Sequence, residues 1–188
     1  GYLAASVLVW SCAVTSAHVA PSQFTFGVNW MPVGAEWYVS VSGSDGNGGT
    51  SWDDAFATIE KASSVAGPGD AIAVGPGRYD GPIATSSSGT PDMRVVIFSA
   101  TPGGAAIDGS GHRVAWRNDG SYVDIVGFEV TGSDFGGILN YGSHVRIIGN
   151  EVHDLAVPSC NEPNGGAGIN HADYGAEGNE TIGNVVYN

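Results

Sequence analysis

From position 122 onward, apolar and polar side chains alternate in a short run, Tyr122-Val123-Asp124-Ile125-Val126-Gly127-Phe128-Glu129-Val130. The run returns 22 residues later (Tyr122 to His144) as His144-Val145-Arg146-Ile147-Ile148-Gly149-Asn150-Glu151-Val152. A third copy, Glu180-Thr181-Ile182-Gly183-Asn184-Val185-Val186, lies 34 residues beyond the second (Arg146 to Glu180). A second motif repeats beside it: Val114-Ala115-Trp116, Gly136-Gly137-Ile138, then Ala167-Gly168-Ile169. Units of roughly 20 to 30 residues, each with two or three short strands and corners at Gly, Asn or Asp, predict a solenoid. The predicted architecture is all-β, a parallel β-helix in which each coil pairs with those above and below.

The alternation assigns sides. Val123, Ile125, Val145 and Ile147 are expected in the core, with Asp124, Arg146 and Glu180 forming an outward ladder of opposite charges. Gly127, Gly149 and Gly183 fall at one corner of successive coils, where positive φ is needed. Asn150 and Asn184 beside them are expected to stack as an amide ladder. Ile72-Ala73-Val74 and Val95-Val96-Ile97-Phe98 read as the first coils, with Pro76-Gly77 and Pro102-Gly103-Gly104 as turns. Before them, Ser51 is placed to N-cap a helix from about Asp53 to Val65, with Phe56, Ile59, Ala62 and Val65 as its apolar stripe. Such a helix would cover the open end of the first coil.

Composition then narrows the partners. The chain has 30 glycines in 188 residues, without a Gly-X-Y period, so collagen is excluded. Lys plus Arg number 6 against 19 Asp plus Glu, a formal charge of −13, and Lys61 is the single lysine. Phosphate neutralisation needs clustered cations, so nucleic acid and anionic lipid surfaces are poor partners. The uncharged stretch Gly1 to Val14, followed by Thr15-Ser16-Ala17, reads as a secretory signal remnant covering 1–20; a buried N-terminal strand or helix is the alternative. The run is too short to span a bilayer. Residues 21–36 are expected to be a linker and 37–188 a β-helix domain, truncated at its C-terminus, in a secreted monomer. Cys12 and Cys160 offer neither a disulfide framework nor a zinc pattern.

The opening Trp37-Tyr38-Val39-Ser40-Val41-Ser42-Gly43-Ser44-Asp45-Gly46-Asn47-Gly48-Gly49-Thr50, with Phe56-Ala57-Thr58-Ile59-Glu60-Lys61-Ala62, Pro68-Gly69-Asp70-Ala71-Ile72-Ala73-Val74 and Pro76-Gly77-Arg78-Tyr79, carries a resemblance. It resembles the opening of secreted right-handed parallel β-helix proteins of the pectate lyase-like superfamily. It is most similar to family nine polysaccharide lyases and to the relatives around alginate lyases and chondroitinase B. The resemblance spans roughly 37–188 and implies a right-handed single-stranded parallel β-helix with a short N-terminal capping helix. It also implies a secreted polysaccharide-degrading protein. Family nine lyases use a lysine base and an aspartate-rich calcium site on later coils. This chain departs from that pattern, having no lysine after Lys61.

The extra residues between the second and third copies, Ala156 to Gly166, interrupt the period, and solenoid insertions map to one face, often the binding face. Around them stand Glu129, Glu151, His153, Asp154, Glu162, His171 and Asp173. Glu129 and Glu151 are equivalent in adjacent coils, so their carboxylates are expected about 5 Å apart, which favours a raised pKa or a bound cation. Three readings follow. In a calcium-assisted lyase, Glu151, Asp154 and Asp173 hold Ca²⁺, and Arg146, His153 or His171 serves as proton-transfer group. Glu129, Asn170 and Tyr174 then contact the substrate, and Trp116, Tyr122, Phe135 and Tyr141 are further stacking candidates. In a glycoside hydrolase, a carboxylate pair does the work. In the third, the protein is a non-catalytic glycan-binding or surface module and these are solvated ladder residues. A surface at −13 repels a polyuronate unless cations bridge the two, which makes Ca²⁺ the expected cofactor of the lyase.

Overall fold

The computed structural model describes residues 33–156 and 166–187. The signal remnant, most of the linker, Cys12, Cys160 and Glu162 lie outside the described residues. Among the described residues fifteen short strands stack in three parallel sheets. The first face holds β1 (Glu36–Val39), β2 (Ala71–Val74), β5 (Val95–Ser99), β8 (Val123–Val126), β11 (Arg146–Ile148) and β14 (Glu180–Ile182). The second holds β3 (Gly77–Asp80), β6 (Ala105–Asp108), β9 (Glu129–Thr131), β12 (Glu151–His153) and β15 (Val185–Val186). The third holds β4 (Ile83–Thr85), β7 (Val114–Asn118), β10 (Gly136–Asn140) and β13 (Ala167–His171). The chain visits the faces in turn, so it is a parallel β-helix, as the repeat implies.

Each inner row is one strand position repeated along the stack. Ile72, Ile97, Ile125 and Ile147 pair in register on the first face and are fully buried. Tyr79, Ile107, Val130 and Val152 form the row of the second face. Ile83, Trp116, Ile138 and Ile169 form that of the third. Burying each large aliphatic removes apolar surface worth about 1.5–3 kcal/mol. Trp116 lies edge-on to Phe128 with ring centroids 4.9 Å apart, so it belongs to the core and offers no face to a sugar.

The corners follow the periodic glycines. Gly127, Gly149 and Gly183 have φ of +71°, +61° and +60°, which an L side chain adopts only with strain. Beside them Asn150 Nδ2 donates to Asn184 Oδ1 at 3.0 Å and to the Ile125 carbonyl, forming the expected amide ladder. A second ladder, which the sequence reading missed, runs inside the third face. Thr85 Oγ1 donates to Asn118 Oδ1 (3.0 Å), Asn118 Nδ2 to Asn140 Oδ1 (2.7 Å), and Asn140 Nδ2 reaches His171 Nδ1 (3.1 Å).

The expected helix from Asp53 to Val65 is two pieces. A 3-10 turn spans Trp52–Asp54, and the helix α1 covers only Ile59–Val65. Thr58 is the N-cap, its hydroxyl accepting from the Lys61 N–H at 3.1 Å, whereas Ser51 makes no side-chain cap bond. The Asp45 carboxylate accepts from the Ala57 and Thr58 amides, and Phe56 pairs its backbone with Tyr38 and Ser40, so this stretch is held extended. α1 then packs on β1, β2 and β4, over the first coil. Val65 faces solvent, which removes it from the stripe. Among the described residues no helix is long and apolar enough to cross a membrane.

Candidate functional site

The outer side of the second face brings together Glu129, Glu151 and His153. Glu129 and Glu151 occupy paired positions on β9 and β12, and Thr131 pairs with His153. His153 Nε2 lies 3.2 Å from Glu129 Oε1, and its Nδ1 lies 3.0 Å from Asp154 Oδ2. A carboxylate can only accept, so each contact is a hydrogen bond when the ring nitrogen facing it carries a proton. Tyr187, just past β15, stacks on the His153 ring at 5.0 Å and donates its hydroxyl to Glu151 Oε1 at 2.7 Å. The hydrogen bond to Glu151, then burial and the surrounding carboxylates, pushes the Tyr187 hydroxyl up to about 12. Glu129 and Glu151 are half-buried and Asp154 is exposed.

Tyr187 was not among the sequence candidates. The repeat aligned Glu151-Val152 with Val185-Val186; one more position would have set His153 against Tyr187. The other candidates scatter. Arg146 is bonded to Asp124 through Nε at 2.7 Å and through its Nη2, and Arg94 reaches the same carboxylate at 2.7 Å. The hydrogen bond to Asp124 holds the Arg146 guanidinium above its ordinary value, which opposes a role as base. Asp124, expected on a solvated ladder, is buried beneath these two arginines. His171 closes the inner amide ladder, with Nε2 3.1 Å from Thr181 Oγ1, and burial pushes its pKa down. Asn140 Nδ2 can only donate, so Nδ1 accepts and the proton sits on Nε2.

Asp173 lies beyond β13, its carboxylate taken by the Gly175 amide in a turn. Among the described residues no three His, Cys, Asp or Glu side chains converge to hold a metal ion. Asn170 pairs with Leu139, which pairs with Arg117, on the third face. Tyr174 is fully exposed. Tyr122 stacks on His144, at 4.6 Å between centroids, while Phe135 and Tyr141 each carry an arginine over the ring.

No family model matches the chain, and no curated protein matches it. Solved structures do. Pectate lyase Pel9A superposes with a TM-score of 0.62 over 80% of this chain and 47% of its own, at 21% identity. A rhamnogalacturonan lyase gives 0.59 over 82% and 52%, at 19% identity. A GH136 lacto-N-biosidase from Eubacterium ramulus gives 0.57 over 80% and 30%, at 14% identity. The class these likenesses define is the parallel β-helix, the all-β fold already read from the coils. The chain spans about half the length of the two lyases and under a third of the biosidase.

Proposed function

We propose that this chain is part of a secreted polysaccharide-degrading β-helix protein that cleaves a uronate-containing glycan by β-elimination. The observation that carries the reading is His153, held between Glu129 and Asp154 on the outer side of β12. The lyases among the structural neighbours support the substrate class, and their low identity leaves the reaction to be argued from residues. In this reading neutral His153, its Nδ1 proton held by Asp154, takes at Nε2 the proton from the carbon next to the uronate carboxylate, the substrate displacing the Nε2 contact with Glu129. The electron pair of that C–H bond forms the double bond and expels the glycosidic oxygen from the neighbouring carbon, and the imidazolium returns the proton to that oxygen. Asp154 orients the ring through Nδ1 during both events. Glu151 and Tyr187 fix the ring from its stacked side. No step is routed through calcium.

Incubation with a polyuronate panel, with and without chelator, tests this by ultraviolet absorbance of the unsaturated product. A gain that survives the chelator is expected. A second reading, hydrolysis, is favoured by the paired register of Glu129 and Glu151. It predicts new reducing ends without ultraviolet gain. Binding with neither product would identify a non-catalytic glycan module.

A further inference from the structure

The six cationic side chains are distributed unevenly between structural and free positions. Arg94 and Arg146 neutralise the buried Asp124, and Arg78 pairs with Asp108. Lys61 sits over the Phe56 ring in the N-terminal cap. That leaves Arg113 and Arg117, both exposed, at the two ends of β7. The Arg113 guanidinium lies 3.9 Å above the Phe135 ring, and that of Arg117 lies 4.6 Å above Tyr141. Each ring comes from the next coil and flanks β10, so one arrangement occurs at both ends of the same strand pair. A guanidinium lying on an aromatic face keeps its N–H groups directed outward at its edge, which suits carboxylate recognition.

Among the described residues Arg113 forms no ion pair, and Arg117 uses Nε for the exposed Asp119 at 2.9 Å, leaving its terminal nitrogens free. The acids near these groups are Asp119 and the exposed Asp134, next to Phe135. Four residues of extended chain set the two arginines at most about 13 Å apart. Arg117 shares its row with Leu139 and Asn170. The corner that carries Arg113 and Phe135 is also the one into which β9 and β12 run, since the Gly132 amide donates to the Asp154 carbonyl and Asp134 to that of His112. The proton-transfer column and the arginine pair therefore lie on neighbouring faces joined by one corner.

We infer that the outer side of β7 and β10 is a subsite for a carboxylate-bearing glycan, with Arg113 and Arg117 supplying the positive charge that a chain at −13 otherwise has to borrow from a metal ion. The inference rests on the reading under Proposed function and names the groups that recognise its substrate. It also accounts for how a polyanion can approach this surface with chelator present.

Calorimetric binding of oligouronates, compared with their carboxyl-reduced neutral counterparts, tests the subsite on the full chain. The free acid of at least one glycan is expected to bind tenfold or more tightly than its neutral form, more so at low salt. Arg113→Ala with Arg117→Ala should abolish that preference without moving the unfolding midpoint, because both side chains are exposed. Asp119→Asn, which releases Arg117, should strengthen it. No preference for any free acid, or a preference that survives in the double variant, overturns the inference. Charge preference without any cleavage product sinks the lyase reading and leaves the subsite standing. Cleavage with unchanged preference in the double variant does the reverse.

Discussion

Two outer rows of the same coils handle charge in opposite ways. On the first face, Arg146 pairs in register with Asp124 and Arg94 closes over the same carboxylate, so opposite charges meet and the acid is buried. One corner later, Glu129 pairs in register with Glu151, so like charges meet. That row stays half-exposed and recruits His153 and Tyr187 as partners. The backbone is the same stacked parallel ladder in both. A row that neutralises itself serves stability, and one that keeps an excess of carboxylates needs protons or cations from outside and so is available for chemistry.

The sharpest way to break this contrast is Asp124→Ala. It leaves two arginines facing each other beneath partial cover and should cost about 3 kcal/mol in chemical denaturation. A loss under about 0.5 kcal/mol would place the first face among ordinary solvated surfaces. His153→Ala probes the other row. Product formation should fall roughly 100-fold, as for loss of a general acid–base group, with the denaturation midpoint unchanged. A large stability loss without a rate effect would make the second face structural too.

The half-buried histidine of the third face extends the comparison. Burial lowers the His171 pKa from 6.5, so on acidification the unfolded chain takes up the proton before the folded one. Its stabilising contribution is complete above pH 6.5 and declines as pH falls below that value. His171→Asn keeps an acceptor for Asn140 and removes the titration, so the midpoint should drop less between about pH 7.5 and pH 5.5 than in the parent. An unchanged drop would show that His171 is not held neutral by the fold. The smallest effect is expected for Glu129→Gln, which relieves the like-charge pair and should raise stability by about 0.5 kcal/mol at low salt while lowering activity. A destabilised variant would mean that the His153 contact outweighs the repulsion.

The β-helix was legible because its signal is periodic. Ile125 and Ile147 stand 22 residues apart and stack directly, and Gly127, Gly149 and Gly183 turn the same corner. The capping helix is present but starts later than its sequence pattern implies, because a tertiary contact decides its first turn. Asp45 holds the Ala57 and Thr58 amides from outside the segment, which no pattern within 51–65 reveals. Site residues were legible only as far as the repeat carried them. Glu129, Glu151 and His153 share a face because strand parity places them there, whereas Asp173 is carried away by a corner and a turn. The inner ladder of Asn118 and Asn140 had the same 22-residue signature as the isoleucines, and it ends in a histidine whose role depends on that burial.

On the third face β10 follows β7 by 22 residues (Val114 to Gly136), whereas β13 follows β10 by 31 (Gly136 to Ala167) and, on the second face, β15 follows β12 by 34 (Glu151 to Val185), yet all of these strands pair in register. The strands keep the metre while the corner varies freely. Such a scaffold can change the length of one corner without retuning its core, because the rows on either side stay in register.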